Sequence, residues 1–96
     1  MHVISKRPLV RFWKEHPAAE QPLTAWYREA KHATWQSPAE VQRMYGSADQ
    51  VGNHRIVFNI GGNKYRLVVE FYYDTQTALV RFVGTHAELT GLTPER

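Results

Sequence analysis

The chain has 96 residues, 12 lysines and arginines against 9 acids, a formal net charge of +3 and no cysteine. That length allows one compact domain over residues 1–96, and the absence of thiols excludes disulfides, thiolate metal sites and a cysteine nucleophile. With 43% hydrophobic and 22% charged residues a disordered chain is excluded, and the small basic excess is compatible with a polyanionic partner without requiring one.

The N-terminal stretch MHVISKRPLV has no apolar leader core, and no run approaches the roughly 18 apolar residues of a membrane span. The expectation is a cytoplasmic protein with no membrane partner. Val3 and Ser5 alternate in MHVIS, a run too short to assign by itself, which the expected fold takes as an N-terminal strand. From Lys6 onward Leu9, Phe12, Trp13 and His16 recur at helical spacing. Ser5 is the expected cap, Pro8 fits the first turn and Pro17 ends the helix. Leu23, Trp26, Tyr27 and Ala30 form the stripe of a second helix, with Glu20 early and Lys31 and His32 late, as the helix dipole favours. In WQSPAEVQRMYG, Ser37 is an N-cap, Pro38 takes the first helical position and Glu40 completes a capping box. Val41, Met44 and Tyr45 should be its buried side, and Gly46 its stop.

The hydrophobic period then switches from about 3.6 to about 2. Three strand-like runs follow, at 50–60, 63–74 and 78–85. Gly61-Gly62 reads as a two-residue hairpin turn, because both positions tolerate positive φ. That turn would set Ile60 opposite Asn63, Phe58 opposite Tyr65 and Val57 opposite Arg66. Parity then sorts Ile56, Phe58, Ile60, Tyr65, Leu67, Val69 and Phe71 to the core. Arg55, Asn59, Lys64 and Arg66 fall on the other face, where Glu70 is the only acid within the strands. Val80 and Phe82 are expected in the core, which puts Arg81 on the cationic side. A bulge at Gly84 would re-aim His86 outward; without it His86 points inward. The fold class expected is α+β, an N-terminal strand and helices packed on a C-terminal antiparallel sheet.

A face with Arg55, Lys64, Arg66 and Arg81 and one acid suits a phosphodiester backbone. The plainer alternative is a solvated sheet surface. His2, His16, His32 and His54 show no metal-ligand spacing, so no metal and no other cofactor is expected.

Through RIVFNIGGNKYRLVV and RFVGTHAE the sequence resembles the HigB-type toxins of bacterial toxin–antitoxin pairs, within the RelE superfamily of mRNA interferases. RFWKEHPAAEQPLTAWYREAK and WQSPAEV resemble that family's helical half. The resemblance implies a small RelE-like domain and cleavage of mRNA on the translating ribosome. It also implies neutralisation by a cognate helix-turn-helix, HigA-like antitoxin, with operator DNA reached only through that antitoxin. One departure stands out: the family commonly follows GTHAE with Tyr-Asp, and this chain has Leu89-Thr90. Loss of that pair would leave either a weakened toxin or, if the pair only packs, a normal one.

Metal-independent RNA cleavage needs a base for the 2′-hydroxyl, a stabiliser for the phosphorane and an acid for the leaving 5′-oxygen. Arg66 is the candidate stabiliser, because a guanidinium grips phosphate bidentately. His86 is the candidate acid or base. Lys64 is a candidate for phosphate binding or proton transfer. Arg55, Asn59 and Arg81 are expected to bind RNA. The alternative function is a catalytically weakened RNA-binding or co-repressor module that keeps the antitoxin interaction.

Overall fold

A computed structural model describes residues 1–52 and 54–88. The elements are β1 (His2–Ile4), α1 (Arg7–Glu15), a 3-10 turn (Pro17–Ala19), α2 (Glu20–His32), α3 (Pro38–Met44), β2 (Asp49–Val51), β3 (Arg55–Ile60), β4 (Tyr65–Tyr72) and β5 (Thr77–Thr85). The class is α+β, as the period switch indicates. Among the described residues no helix is long and apolar enough to cross a membrane.

The helices form where the apolar stripes recur. Leu9 and Phe12 of α1, Leu23, Trp26 and Ala30 of α2 and Val41 of α3 are buried. Lys6, not Ser5, occupies the N-cap of α1, and no side chain hydrogen-bonds there. Ser37 caps α3 as expected, its Oγ accepting from Glu40 N at 3.4 Å. The Glu40 carboxylate accepts from Gln36 N at 3.0 Å, one residue before the cap. Met44 is 52% exposed rather than buried. The helix stops there, and Tyr45 at the C-cap fills that side, edge-on to Phe58 at 5.1 Å. The Met1 ammonium donates to Ala30 O, Lys31 O and Ala33 O at 3.0, 3.0 and 2.6 Å. Lys31 O, in the last turn of α2, thereby gains a partner that the helix itself does not supply.

The sheet has the order β1-β5-β4-β3-β2. β1 runs parallel to β5 and the other pairings are antiparallel. The sheet is therefore mixed, not wholly antiparallel, because the helices serve as the crossover that a parallel pairing needs. Ile56, Phe58, Ile60, Tyr65, Leu67, Val69 and Phe71 are all buried, and the helices cover that side. Trp26 meets Phe58 at 5.5 Å, Trp35 meets Phe71 at 5.8 Å and Phe12 meets Tyr65 at 5.5 Å, each edge-on. Each such aromatic, fully buried, contributes on the order of 1.5–3 kcal/mol of hydrophobic stabilisation.

Three details differ from the sequence reading. The run over 50–60 is broken near Gly52 into β2 and β3, which adds a strand and brings Asp49 opposite Val57. Glu70 is thus not the only acid in the strands of the outer face. The hairpin loop spans four residues, with Gly61, Gly62 and Asn63 at φ of 65°, 62° and 78°. Ile60 pairs with Tyr65 and Asn59 with Arg66, a slip of two residues that preserves which face each side chain occupies. Finally, the bulge in β5 is not at Gly84. Val69 pairs with Val80 and Val68 with Phe82, leaving Arg81 as the extra residue. Val80 and Val83 pack against the core, and Phe82 faces outward with Val68.

Candidate functional site

The outer face of β3, β4 and β5 carries Arg55, Arg66 and Arg81, but it divides them in two. At the hairpin end Asn59, Arg66 and Gly84 lie in one row across the three strands. The Arg66 guanidinium is anchored by its own hairpin: Nη1 donates to Asn63 O at 3.0 Å and to Tyr65 O at 3.3 Å. Nη2 lies 3.4 Å from His86 Nδ1. Two carbonyls therefore hold one edge of the fork and turn the other towards the imidazole.

His86 reaches that position through a capping box. Thr85 ends β5, and its Oγ1 accepts from Glu88 N at 3.1 Å while its own N–H donates to Glu88 Oε1 at 2.8 Å. Residues 86–88 turn into helical backbone. The reciprocal bonds satisfy two donors that a helix start leaves open. His86 thus leaves the strand before parity can bury it, and it is exposed. Neither sequence alternative describes this route, although T-H-A-E carries the signature of such a box.

Lys64 is exposed in the loop, its N–H bonded to Gly61 O at 3.4 Å. It lies outside the strands, contrary to the two-residue turn. Asn59 Nδ2 donates to Ser47 O at 3.0 Å, which ties β3 to the segment after α3. That bond engages one donor of the amide in structure.

Arg55 and Arg81 belong to the other end. Arg55 sits directly opposite Glu70, four residues from Asn59, about 13 Å along the strand at ~3.3 Å per residue. Arg81 Nε lies 3.6 Å from Glu70 Oε1, with side chains 46% and 17% exposed. Glu70 also accepts from the Tyr72 hydroxyl and holds that phenol above the usual tyrosine range. In this cluster Glu70 compensates Arg81. Between the two ends lies an apolar row of Val57, Val68 and Phe82.

Residues 19–90 match the family model for the HigB toxin, described as the RelE-like toxic component of a toxin–antitoxin system. The chain belongs to the HigB toxin family. The match runs from the 3-10 turn through every strand after β1. The mRNA interferase HigB of Escherichia coli O6:H1 (strain CFT073) is 27% identical over 95 residues, spanning 97% of this chain and 92% of that protein. The mRNA interferase toxin HigB of Escherichia coli K12 is 27% identical over 90 residues, 92% of this chain and 86% of that protein. The mRNA interferase HigB of Shigella flexneri matches equally. In this HigB-family chain Leu89 and Thr90, the departure from Tyr-Asp, lie outside the described residues.

Proposed function

We propose that this HigB-family toxin is a metal-independent endoribonuclease that cuts mRNA on the translating ribosome and so inhibits translation. A cognate HigA-like antitoxin neutralises it in the cytoplasm, and operator DNA is reached only through that antitoxin. The observation that carries the reading is the Arg66–His86 pair: a guanidinium anchored by two carbonyls, 3.4 Å from an imidazole nitrogen. The relatives' name, mRNA interferase, supports the same substrate.

In the reaction the 2′-oxygen attacks the adjacent phosphorus and the bond to the 5′-oxygen breaks. The 2′-hydroxyl proton goes to a base and the 5′-oxygen takes a proton from an acid. The products are a 2′,3′-cyclic phosphate and a 5′-hydroxyl. Arg66 stabilises the charge on the non-bridging oxygens, where preorganised donors contribute most. His86 serves as acid or base, and its contact with Arg66 sets the imidazole beside the phosphate site. Lys64 supplies a phosphate contact from the loop. Arg55 and Arg81 bind RNA further along the strand.

Induced without its antitoxin, the wild type should stop translation and leave transcripts with new ends. Arg66→Ala or His86→Ala should restore growth while soluble protein persists. Normal growth with abundant soluble wild type would refute the proposal. The Leu89-Thr90 departure favours a second reading, an RNA-binding or co-repressor module without cleavage. Ribosome binding with no new transcript ends would support that module instead.

A further inference from the structure

Phe82 faces the side of the sheet that strand alternation does not assign to it. Val80 and Phe82 are two residues apart and belong together on an unbroken strand. The extra residue, Arg81, breaks the parity, so Val80 keeps the core side while Phe82 pairs with Val68 of the outer side. A large aromatic taken out of the core gives up burial, yet this one has a seat made for it. A Cβ at Gly84 would come within 2.5 Å of Phe82 Cζ and 3.0 Å of Cε2. Glycine alone lets the ring lie this close to the strand. The ring is half-buried, in a row with Val68 and Val57.

The surroundings indicate what that ring meets. One row to one side, about 6.6 Å along the strands, stands Arg66 with His86 beyond it. One row to the other side stand Arg55 and Glu70, with Arg81 against Glu70. An aromatic between rows of arginines suits a single-stranded nucleic acid, whose phosphates meet the cations while a base meets the ring. Resting on the cleavage reading above, we infer that Phe82 is the stacking platform for one nucleobase next to the scissile phosphate. The β5 bulge turns the ring outward and Gly84 seats it. Stacking accepts any base, so the platform positions the strand and leaves sequence preference to other contacts.

The test measures single-turnover cleavage on ribosomes programmed with a defined mRNA. One variable is Phe82→Leu, which keeps an apolar side chain in the row with Val57 and Val68 but removes the π-face. The other is an abasic nucleotide at each position of the codon that is cut, in turn. Phe82→Leu should slow cleavage about 5- to 150-fold, the range of one lost base stack, and Phe82→Tyr should restore it. At one codon position the abasic nucleotide should slow the wild type similarly yet add little to Phe82→Leu, since one stack is lost only once. Losses that multiply at every position, or a Phe82→Leu rate equal to wild type, would overturn the platform while leaving cleavage standing. If Phe82→Leu folds poorly, the abasic series on wild type still decides, because no position-specific loss would also overturn it. Loss of antitoxin binding by Phe82→Leu with an unchanged cleavage rate would assign the ring to a protein partner instead. A wild type that cuts nothing would remove the cleavage reading and the platform together.

Discussion

Gly84→Ala probes the link between strand packing and the site. A methyl group there would lie 2.5 Å from the Phe82 ring and 2.7 Å from Glu88 Oε1. Both neighbours are side chains, so both can swing away. Moving Glu88 breaks the 2.8 Å bond from Thr85 N, and loss of such a cap costs about 1 kcal/mol. Unseating the ring adds about 1 kcal/mol, at the low end of overpacking costs. Against these, replacing glycine restricts the unfolded chain and returns about 0.5–1 kcal/mol. The net is about 1 kcal/mol of destabilisation, which for a domain of this size lowers Tm by about 4–8 °C. Nearly all the protein stays folded at 25 °C after such a loss, given a typical stability of about 5 kcal/mol or more. Cleavage should nevertheless fall at least about tenfold, because the same capping box holds His86 against Arg66. Calorimetry and primer extension on one preparation give both numbers. A raised Tm with an unchanged rate would show that neither the ring nor the carboxylate is held as described.

Arg66→Lys keeps the charge but loses the fork that spans Asn63 O, Tyr65 O and His86, so cleavage should fall by at least about tenfold with little change in Tm. Asn59→Ala removes the bond to Ser47 O and should cost about 0.5–1.5 kcal/mol in urea unfolding, with cleavage of the folded protein intact; a selective loss of cleavage would return Asn59 to RNA contact. Burial pushes the Tyr73 hydroxyl from 10.0 up to about 12. Between those values the folded chain keeps a proton that the unfolded chain has lost, so stability falls as pH rises through that window. Tyr73→Phe should flatten that fall in alkaline unfolding curves, and an unchanged slope would contradict the assignment.

The faces of the hairpin were legible because parity survives an even error. A two-residue slip moved Asn59 from Lys64 to Arg66 without turning any side chain over. The slip itself was not legible: Asn63 takes a left-handed φ that sequence does not advertise as glycine does. The β5 bulge was hidden for another reason. Nothing in LVRFVG distinguishes an inward Phe82 from an outward one until the ring is seen over Gly84. Arg66 and His86 came together as the motifs suggested, but through a Thr85–Glu88 capping box rather than a bulge at Gly84. Arg55 and Arg81 share the cationic side on parity grounds, yet only the structure shows Glu70 paired with Arg81 and standing opposite Arg55, away from Arg66. The parallel β1–β5 pairing and the exposed Met44 depend on contacts between distant segments, which local pattern does not encode.

What Arg66 and His86 do to RNA decides whether this toxin cuts by the proposed chemistry. On ribosomes programmed with one mRNA, the single-turnover rate and the chemistry of the cut ends should be measured for wild type, Arg66→Ala, His86→Ala and the double variant. The wild type should leave 5′-hydroxyl ends, each single variant should be slower by about 100-fold or more, and the double variant should be little worse than either. A folded double variant that cuts at the wild-type rate, or 5′-phosphate ends from the wild type, would contradict it.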